Sequence, residues 1–166
     1  ITKEELAKHD GNQTKELWLS IMSQVYDVTA GETYYGNGGP YRVFVGRDAS
    51  VPFITGGFNE TEANRPILDL NPHQLMNLEG WAEFYQKEKK YKFVGLLVGE
   101  IYDENGNTGE VYDEIHRRIK EAKVEEEKRK QKQKEIREKR KLEDAEKARK
   151  RALGETQQMQ DGVEQP

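Results

Sequence analysis

This chain of 166 residues has no cysteine and a formal net charge of −4. Without cysteine it cannot form disulfides, thiolate-bound haem, cysteine-ligated zinc sites or iron–sulfur clusters. The charge is divided unevenly: residues 1–116 carry −9 (10 Lys and Arg against 19 Asp and Glu), whereas residues 117–151 carry +8 (17 against 9), so an acidic part is joined to a basic one.

The first part of the chain predicts a short helix and two strands. Thr2 and Glu5 have the spacing of a capping box, which predicts a helix that ends at residues 10–12, Asp-Gly-Asn. Residues 17–22 and 24–28 are apolar segments separated by a short break. This pattern predicts two strands around a turn.

Two helices, a strand and a turn are expected in the middle of the chain. Asp48-Ala49-Ser50 caps a short helix that Gly56-Gly57 ends, and Asn71-Pro72 is a strong helix start. Residues 93–98 predict a short apolar strand, and residues 103–107, Asp-Glu-Asn-Gly-Asn, predict a turn. The helix after Pro72 is expected to bury one face, made by Leu75, Leu78, Trp81, Ala82 and Tyr85.

The segment from Glu110 to Leu153 contains neither glycine nor proline and predicts one helix of roughly 66 Å. Its first turns carry an apolar stripe that we expect to dock on the domain before it: Val111, Ile115, Ile119 and Ala122.

The rest of this segment lacks the apolar seam of a coiled coil. Instead, acidic residues stand four positions before basic ones, at 125 and 129, 126 and 130, 135 and 139, and 143 and 147. We expect a solvated charged helix that supports itself and ends at Gly154; the alternative is a helix that docks on a protein or nucleic-acid partner.

The most informative stretch is residues 34–50. Tyr35 and Tyr41 stand six residues apart across a Gly-Pro loop, and a Gly-Arg-Asp-Ala-Ser turn follows. A Lys90-Tyr91 pair precedes Val94-Gly95. Together these residues resemble the haem-binding face of the membrane-associated progesterone receptor family, a branch of the cytochrome b5-like fold.

The resemblance covers residues 1–102, and the segments 53–58 and 99–102 are most similar to its neuferricin branch. It implies an α+β fold: a cytochrome b5-like domain with a small mixed sheet and short helices around a ligand slot. In this chain a long charged α-helix follows that domain.

The resemblance also implies which residues bind the cofactor. Tyr41 has the position of the family's iron ligand, Tyr35 that of its supporting tyrosine, and Lys90 and Tyr91 that of its second polar pair. The implied cofactor is haem b, bound non-covalently through a tyrosinate in a sensing, transfer or regulatory role. A tyrosine binds iron as the phenolate, and since its unperturbed pKa is about 10, ferric iron and a nearby ammonium would have to stabilise that anion.

Other residues suit the surroundings of such a site. Phe44, Val45 and Phe53 are candidates for its apolar walls, and Arg42 or Arg47 for a partner of a carboxylate. The glycines at 36, 38 and 39 would let the loop approach a flat ligand closely. Spacing alone leaves another interpretation open, in which these tyrosines pack and hydrogen-bond locally.

The sequence argues against catalysis and against histidine as an iron ligand. It contains no nucleophile–base arrangement, phosphate-binding loop or HExxH motif. Asp48 is explained as a helix cap. His9, His73 and His116 are expected to be exposed helix residues.

We expect four regions along the chain. These are a cytochrome b5-like haem-binding domain (1–103), a linker with the start of a helix (104–116), a long charged helix (117–153) and a disordered or extended tail (154–166).

Two functions stay open at this stage. The first is a haem-binding module, and the second is an assembly subunit whose domain is a docking body and whose charged helix contacts protein partners. Nucleic acid is disfavoured as a partner, because the basic segment contains nine acidic residues and no aromatic residue for stacking on bases.

The chain begins at Ile1 rather than Met, and no apolar run in it is long enough to span a membrane. We expect a targeting or anchor segment before Ile1 that would associate the protein with a membrane. The expected location is the endomembrane system, the cell exterior or an organelle-associated assembly.

Overall fold

The computed structural model describes residues 1–57, 59–63 and 65–161. They form an α+β fold with a small sheet, short helices and one long helix. The elements in chain order are α1 (Lys3–Lys8), β1 (Trp18–Ile21), β2 (Gln24–Asp27), α2 (Glu32–Tyr35), α3 (Ser50–Thr55), α4 (Glu60–Ala63), α5 (Pro72–Lys87), β3 (Lys92–Leu96) and α6 (Glu110–Asp161), with 3₁₀ turns at Thr29–Gly31, Arg42–Phe44 and Ile67–Asp69.

The three strands lie in the order β1–β2–β3, and both strand pairs are antiparallel. Met22 and Ser23 form the turn between β1 and β2 with φ angles of 49° and 57°. Such positive angles suit a tight two-residue hairpin, although glycine or asparagine is the usual choice there. A hydrogen bond of 2.8 Å from the backbone N–H of Met22 to the hydroxyl of Ser50 stabilises the turn. The predicted pair of strands is confirmed.

The capping predictions are confirmed at α5 and in part at α1. The side chain of Asn71 accepts from the backbone N–H of Gln74, and the Gln74 side chain accepts from the backbone N–H of Asn71, both at 2.9 Å. At α1, Thr2 Oγ1 accepts from the backbone N–H of Glu5 at 3.1 Å. The Glu5 carboxylate does not complete the predicted capping box, because it pairs with Lys8 at 2.8 Å.

Asp48 joins α3 to the hairpin through Ser50. One oxygen of Asp48 accepts from the Ser50 backbone N–H at 3.0 Å and from its hydroxyl at 2.6 Å. The same hydroxyl accepts from the backbone N–H of Met22. Burial raises the pKa of Asp48, and the hydrogen bonds from Ser50 act in the opposite direction. The N-cap residue of α3 is Ala49, and no side-chain hydrogen bond caps the helix, so the prediction that Asp48 is its cap is not confirmed. Asp48 has a structural role through Ser50 instead.

The core is one main cluster of buried side chains from the hairpin, α5 and the first turns of α6. The inward face of α5 consists of Leu75, Leu78, Ala82 and Tyr85, as predicted. Trp81 was expected on that face, but its side chain is 39% exposed. Helical spacing brings Trp81 near the edge of the buried face, and contacts with other elements decide how much of it is covered.

The first turns of α6 are part of the globular body. Ile115, Ile119 and Ala122 are buried, which confirms the docking predicted from the apolar stripe. Arg118 donates one hydrogen bond to the Glu114 carboxylate at 2.6 Å and another to the backbone carbonyl of Leu68 at 2.8 Å. The compact unit accordingly comprises residues 1–123.

The second unit begins at Val124 and contains the rest of α6. Of the ion pairs predicted from the sequence, Glu126 and Lys130 lie 2.9 Å apart. The sequence predicts that this helix ends at Gly154, but the helix continues to Asp161. A single glycine weakens a helix by only about 1 kcal/mol, so it need not end one. The predicted tail lies outside the described residues from 162 onward.

Among the residues that the structure describes, no helix combines the length and the apolar character needed to cross a membrane.

Candidate functional site

A tight loop after α2 brings the two predicted tyrosines together. The backbone N–H of Gly36 donates to the carbonyl of Glu32 at 2.7 Å and ends the helix. The N–H of Tyr41 then donates to the carbonyl of Tyr34 at 2.9 Å, so the loop returns to the helix that it left. The rings of Tyr35 and Tyr41 consequently lie 5.8 Å apart, measured between their centroids.

Glycine is needed in this loop because the backbone folds closely on itself. A Cβ atom at Gly39 would lie 2.3 Å from the carbonyl oxygen of Tyr34, and one at Gly36 would lie 2.5 Å from that of Glu32. Gly38 has a φ of +79°, a conformation that favours glycine. The sequence predicted these glycines for close approach to a ligand; the contacts that require them at 36 and 39 are within the protein.

Tyr41 lies within a continuous set of aromatic rings. Its centroid is 5.9 Å from those of both Phe44 and Phe53, and that of Phe53 is 4.7 Å from Trp81. We call the outer members of this set the aromatic face, and they are Tyr34, Tyr41, Phe53, Trp81 and Phe84.

The aromatic face is unusually open to solvent for such large rings. Tyr34 is 52%, Tyr41 36% and Phe84 43% exposed. Contiguous exposed apolar surface on a globular protein commonly marks a binding site. The aromatic face is therefore a candidate surface for a flat apolar ligand.

A pair of tyrosine hydroxyls lies beneath this face. The hydroxyls of Tyr35 and Tyr85 are 2.6 Å apart, and both side chains are almost fully buried. Burial raises the pKa of both groups. For Tyr35, contacts with Tyr85 and Tyr91 raise the pKa further, so these buried tyrosines keep their protons at neutral pH.

The structure brings three of the four predicted site residues into one cluster. The Tyr91 ring lies 5.7 Å from that of Tyr35, nearly perpendicular to it, and 5.6 Å from that of Tyr85. Lys90 is next to this cluster in sequence but is exposed, and its backbone N–H donates to the Glu88 carboxylate at 3.1 Å.

The predicted surrounding residues divide between the site and the rest of the domain. Phe44 and Phe53 pack around Tyr41, whereas Val45 is buried in the main core. Arg42 lines a separate cavity of about 350 Å³. The pKa of Asp10 is lowered mainly by hydrogen bonds from the backbone of Gln13 and Asn12, and the charge of Arg42 adds to this effect. The backbone carbonyl of Arg47 accepts from the N–H of Ser20 at 3.1 Å.

Sequence reasoning missed Tyr85 as a member of this cluster. Its position on the inner face of α5 predicted a core residue only. The available signal was its hydroxyl, since a buried tyrosine usually needs a hydrogen-bond partner. Only the fold identifies that partner as Tyr35, which is fifty positions away in sequence.

His9 is a correction to the sequence analysis. It was expected to be exposed, but it is only 9% exposed and stacks on Trp18 with ring centroids 3.4 Å apart. Its Nδ1 lies 3.0 Å from a carboxylate oxygen of Glu16. The stacking ring and the fold of the chain after α1 bury it, which helix periodicity alone does not predict. His73 and His116 are exposed, as expected.

The donor chemistry of this site fits haem. Tyr41 combines an oxygen donor with partial exposure on an apolar aromatic surface, whereas Tyr35 and Tyr85 are buried and hydrogen-bonded to each other. Among the described residues, no group of three His, Asp or Glu side chains is arranged to hold a metal ion.

Residues 2–102 match the family described as "Cytochrome b5-like Heme/Steroid binding domain". The chain is 39% identical to a neuferricin homolog of Drosophila pseudoobscura pseudoobscura, over 75% of this chain and 43% of that protein. It is 37% identical to neuferricin of Xenopus tropicalis, over 77% and 49% respectively. With membrane-associated progesterone-binding protein 4 of Arabidopsis thaliana it shares 38% identity, over 64% and 43%.

A solved structure of a hypothetical protein from Arabidopsis thaliana with a cytochrome b5-like fold is also similar, with a TM-score of 0.53 and 30% identity. The match covers 60% of this chain and 90% of that one. The aligned part spans less than half of each of the three curated relatives named above. These similarities agree with the resemblance drawn from the tyrosine loop and the Lys90-Tyr91 pair.

Proposed function

This chain belongs to the cytochrome b5-like haem/steroid-binding domain family, and on that premise we propose that residues 1–123 form a non-covalent haem-binding module. In this proposal Tyr41 supplies a tyrosinate ligand to the iron of haem b. Tyr35, Tyr91 and Lys90 support it, and the role is haem sensing, transfer or regulation rather than catalysis.

The observation that carries the proposal is the setting of Tyr41. It is a partly exposed phenol in the middle of an aromatic surface, with Phe44 and Phe53 against its ring. An apolar surface with one well-placed donor is what a large planar cofactor requires. The hydroxyls of Tyr35 and Tyr85 are buried and bonded to each other, whereas Tyr34 and Tyr41 both carry a phenol on the open side. Of these two, the family resemblance assigns the iron to Tyr41.

Bound haem would supply ferric iron, whose positive charge stabilises a phenolate. The chain's own contribution is to pack the rings of Phe44 and Tyr35 against that of Tyr41 and to keep water from the apolar side of the ligand. An anionic oxygen ligand favours ferric over ferrous iron, so rapid electron shuttling is not proposed. Steroid binding is not proposed either, because no residue of this chain argues for it.

A titration with hemin tests the proposal, with Tyr41→Phe compared against Tyr34→Phe. Tyr34 is the matched control, because it is an exposed tyrosine of the same face whose ring lies 6.2 Å from that of Tyr41. We expect a saturable Soret band with the charge-transfer absorption of a phenolate–ferric complex in the unmodified protein and in the control. Tyr41→Phe should lose the charge-transfer absorption.

Two results would count against the proposal in different ways. If the folded protein shows no saturable Soret band, haem binding is wrong. If Tyr41→Phe binds hemin with the same spectrum as Tyr34→Phe, haem binding stands and Tyr41 is not the ligand.

A second candidate function is an assembly subunit, and the exposed surface of α6 favours it. Side chains described from residue 127 to 154 are exposed throughout, including the apolar Ile136, Leu142 and Leu153. In this proposal the helix contacts a protein partner. The full chain should then migrate in a larger native complex than residues 1–123 do in the source cells, and equal sizes would contradict the idea.

The endomembrane system or the cell exterior is the compartment that we propose from the family resemblance. Fractionation of the source cells with an antibody to this chain is the measurement, and recovery in the cytosolic fraction alone would contradict it.

A further inference from the structure

Tyr85 connects α5 directly to Tyr35, the last residue of α2. Its hydroxyl is 2.6 Å from that of Tyr35, and its side chain is 1% exposed. Its ring also contacts those of Tyr91, at 5.6 Å, and Phe53, at 6.3 Å. Tyr85 therefore contacts three residues of the candidate site, which are Tyr35, Tyr91 and Phe53.

Tyr85 also reaches the surroundings of Tyr41 indirectly, through Tyr35. Tyr35 stands between them structurally, because its ring packs at 5.8 Å from that of Tyr41 while its hydroxyl is bonded to Tyr85.

We propose that Tyr85 is a positioning residue of the haem site, which acts by fixing the hydroxyl and ring of Tyr35 beneath Tyr41. The inference rests on the proposed function. The Tyr35 ring sets one side of the space that Tyr41 occupies, and the bond to Tyr85 holds that ring in a single orientation. Tyr85 thereby helps to fix where the phenolate oxygen of Tyr41 lies.

The alternative is that Tyr85 is an ordinary core tyrosine whose hydroxyl merely has a partner. Tyr26 is such a residue and is the matched control. It is also 1% exposed, and its hydroxyl donates to the side chain of Gln24 at 2.7 Å. Its ring packs on Tyr85 with centroids 5.4 Å apart. Removing the hydroxyl of Tyr26 deletes a partly buried hydrogen bond and removing that of Tyr85 deletes a buried one, but of the two residues only Tyr85 is bonded to Tyr35.

The test compares Tyr85→Phe, Tyr35→Phe, the double variant and Tyr26→Phe in the full chain. The measurements are hemin affinity, the position of the phenolate-to-iron charge-transfer band, the pH at which the ferric spectrum changes, and urea unfolding without hemin. We expect Tyr85→Phe to weaken hemin binding by about 10-fold, the lower end of the loss that follows removal of an outer partner of a metal ligand, because Tyr85 acts through Tyr35 and not on Tyr41 itself. The band and the pH of the spectral change should shift as well, and Tyr26→Phe should alter neither.

Because Tyr85 acts through Tyr35, the double variant should bind hemin no more weakly than Tyr35→Phe alone. Replacing both hydroxyls removes the Tyr35–Tyr85 pair together, so neither of these two side chains is left with an unpaired hydroxyl, and this variant keeps the test valid if Tyr85→Phe does not fold. Losses that add in the double variant, or a Tyr85→Phe spectrum identical to that of Tyr26→Phe, would overturn the inference and leave the proposed function intact. Absence of saturable hemin binding by the unmodified chain would overturn both the inference and the proposed function. That result is seen with the unmodified chain alone, before any variant is measured.

Discussion

Gly39 shows how single residues shape the tyrosine site. A side chain there would meet the backbone of Tyr34, with a Cβ only 2.3 Å from its carbonyl oxygen. That carbonyl accepts the hydrogen bond from the N–H of Tyr41, so the glycine permits the contact that brings the loop back. The position of the Tyr41 ring therefore depends on a residue that contributes no side chain of its own.

Gly39→Ala should destabilise the domain and displace Tyr41. We expect a loss of about 1–3 kcal/mol, the usual cost of forcing atoms into occupied space, together with weaker hemin binding. Gly80→Ala is the control, because an added Cβ in the middle of α5 meets nothing within 4 Å. That variant should gain about 0.5–1 kcal/mol from better helix propensity. Urea unfolding gives the free energy of unfolding of both variants. Equal values for Gly39→Ala and Gly80→Ala would contradict the steric role given to Gly39.

At the scale of elements, α6 has two parts with different physical roles. Its first turns bury Ile115 and Ile119 in the domain core, and Arg118 bonds to the carbonyl of Leu68. Later turns carry exposed charged residues and ion pairs such as Glu126–Lys130. Exposed pairs of this kind contribute only a few tenths of a kcal/mol each, so burial rather than charge holds the first part in place.

The same substitution at two positions of α6 should separate these roles. Ile115→Ala should cost about 2–5 kcal/mol, because it removes a side chain that is fully buried. Ile136 is 46% exposed, and Ile136→Ala should change stability by less than about 0.5 kcal/mol. Unfolding followed by tryptophan fluorescence gives both values. A large effect at residue 136 would indicate that this part of the helix is buried in solution.

At the scale of the whole molecule, the compact unit extends beyond the residues that match the family. The family match ends at residue 102, whereas the compact unit continues to Lys123. Ile119 and Ala122 are in the part that the match omits, and both are buried. A haem-binding fragment should therefore include the start of α6.

Two truncations test this boundary. Residues 1–123 should unfold at nearly the same urea concentration as the full chain and respond to hemin in the same way. Residues 1–109 should be less stable by about 3–6 kcal/mol, because each buried isoleucine contributes roughly 1.5–3 kcal/mol. If the shorter fragment is as stable as the longer one, the docked turns of α6 do not belong to the core.

Much of the local structure could be predicted because its causes lie within a few residues. The Asn71-Pro72 start of α5, the hairpin of β1 and β2, and the apolar stripe of α6 each depend on short-range spacing. The family resemblance is confirmed by the match over residues 2–102 and by the neuferricin relatives. The roles of Tyr41, Tyr35, Lys90 and Tyr91 stay predictions.

The sequence by itself determined the α+β architecture, the division of charge and the tyrosines that mark the site. Only the tertiary structure decided that Tyr85 bonds to Tyr35, that Trp81 stays exposed and that His9 is buried against Trp18. Each of these depends on an element distant in sequence or on how neighbouring elements pack. The periodicity of a helix or strand predicts which of its faces is buried, but it does not predict which side chains of other elements pack against that face.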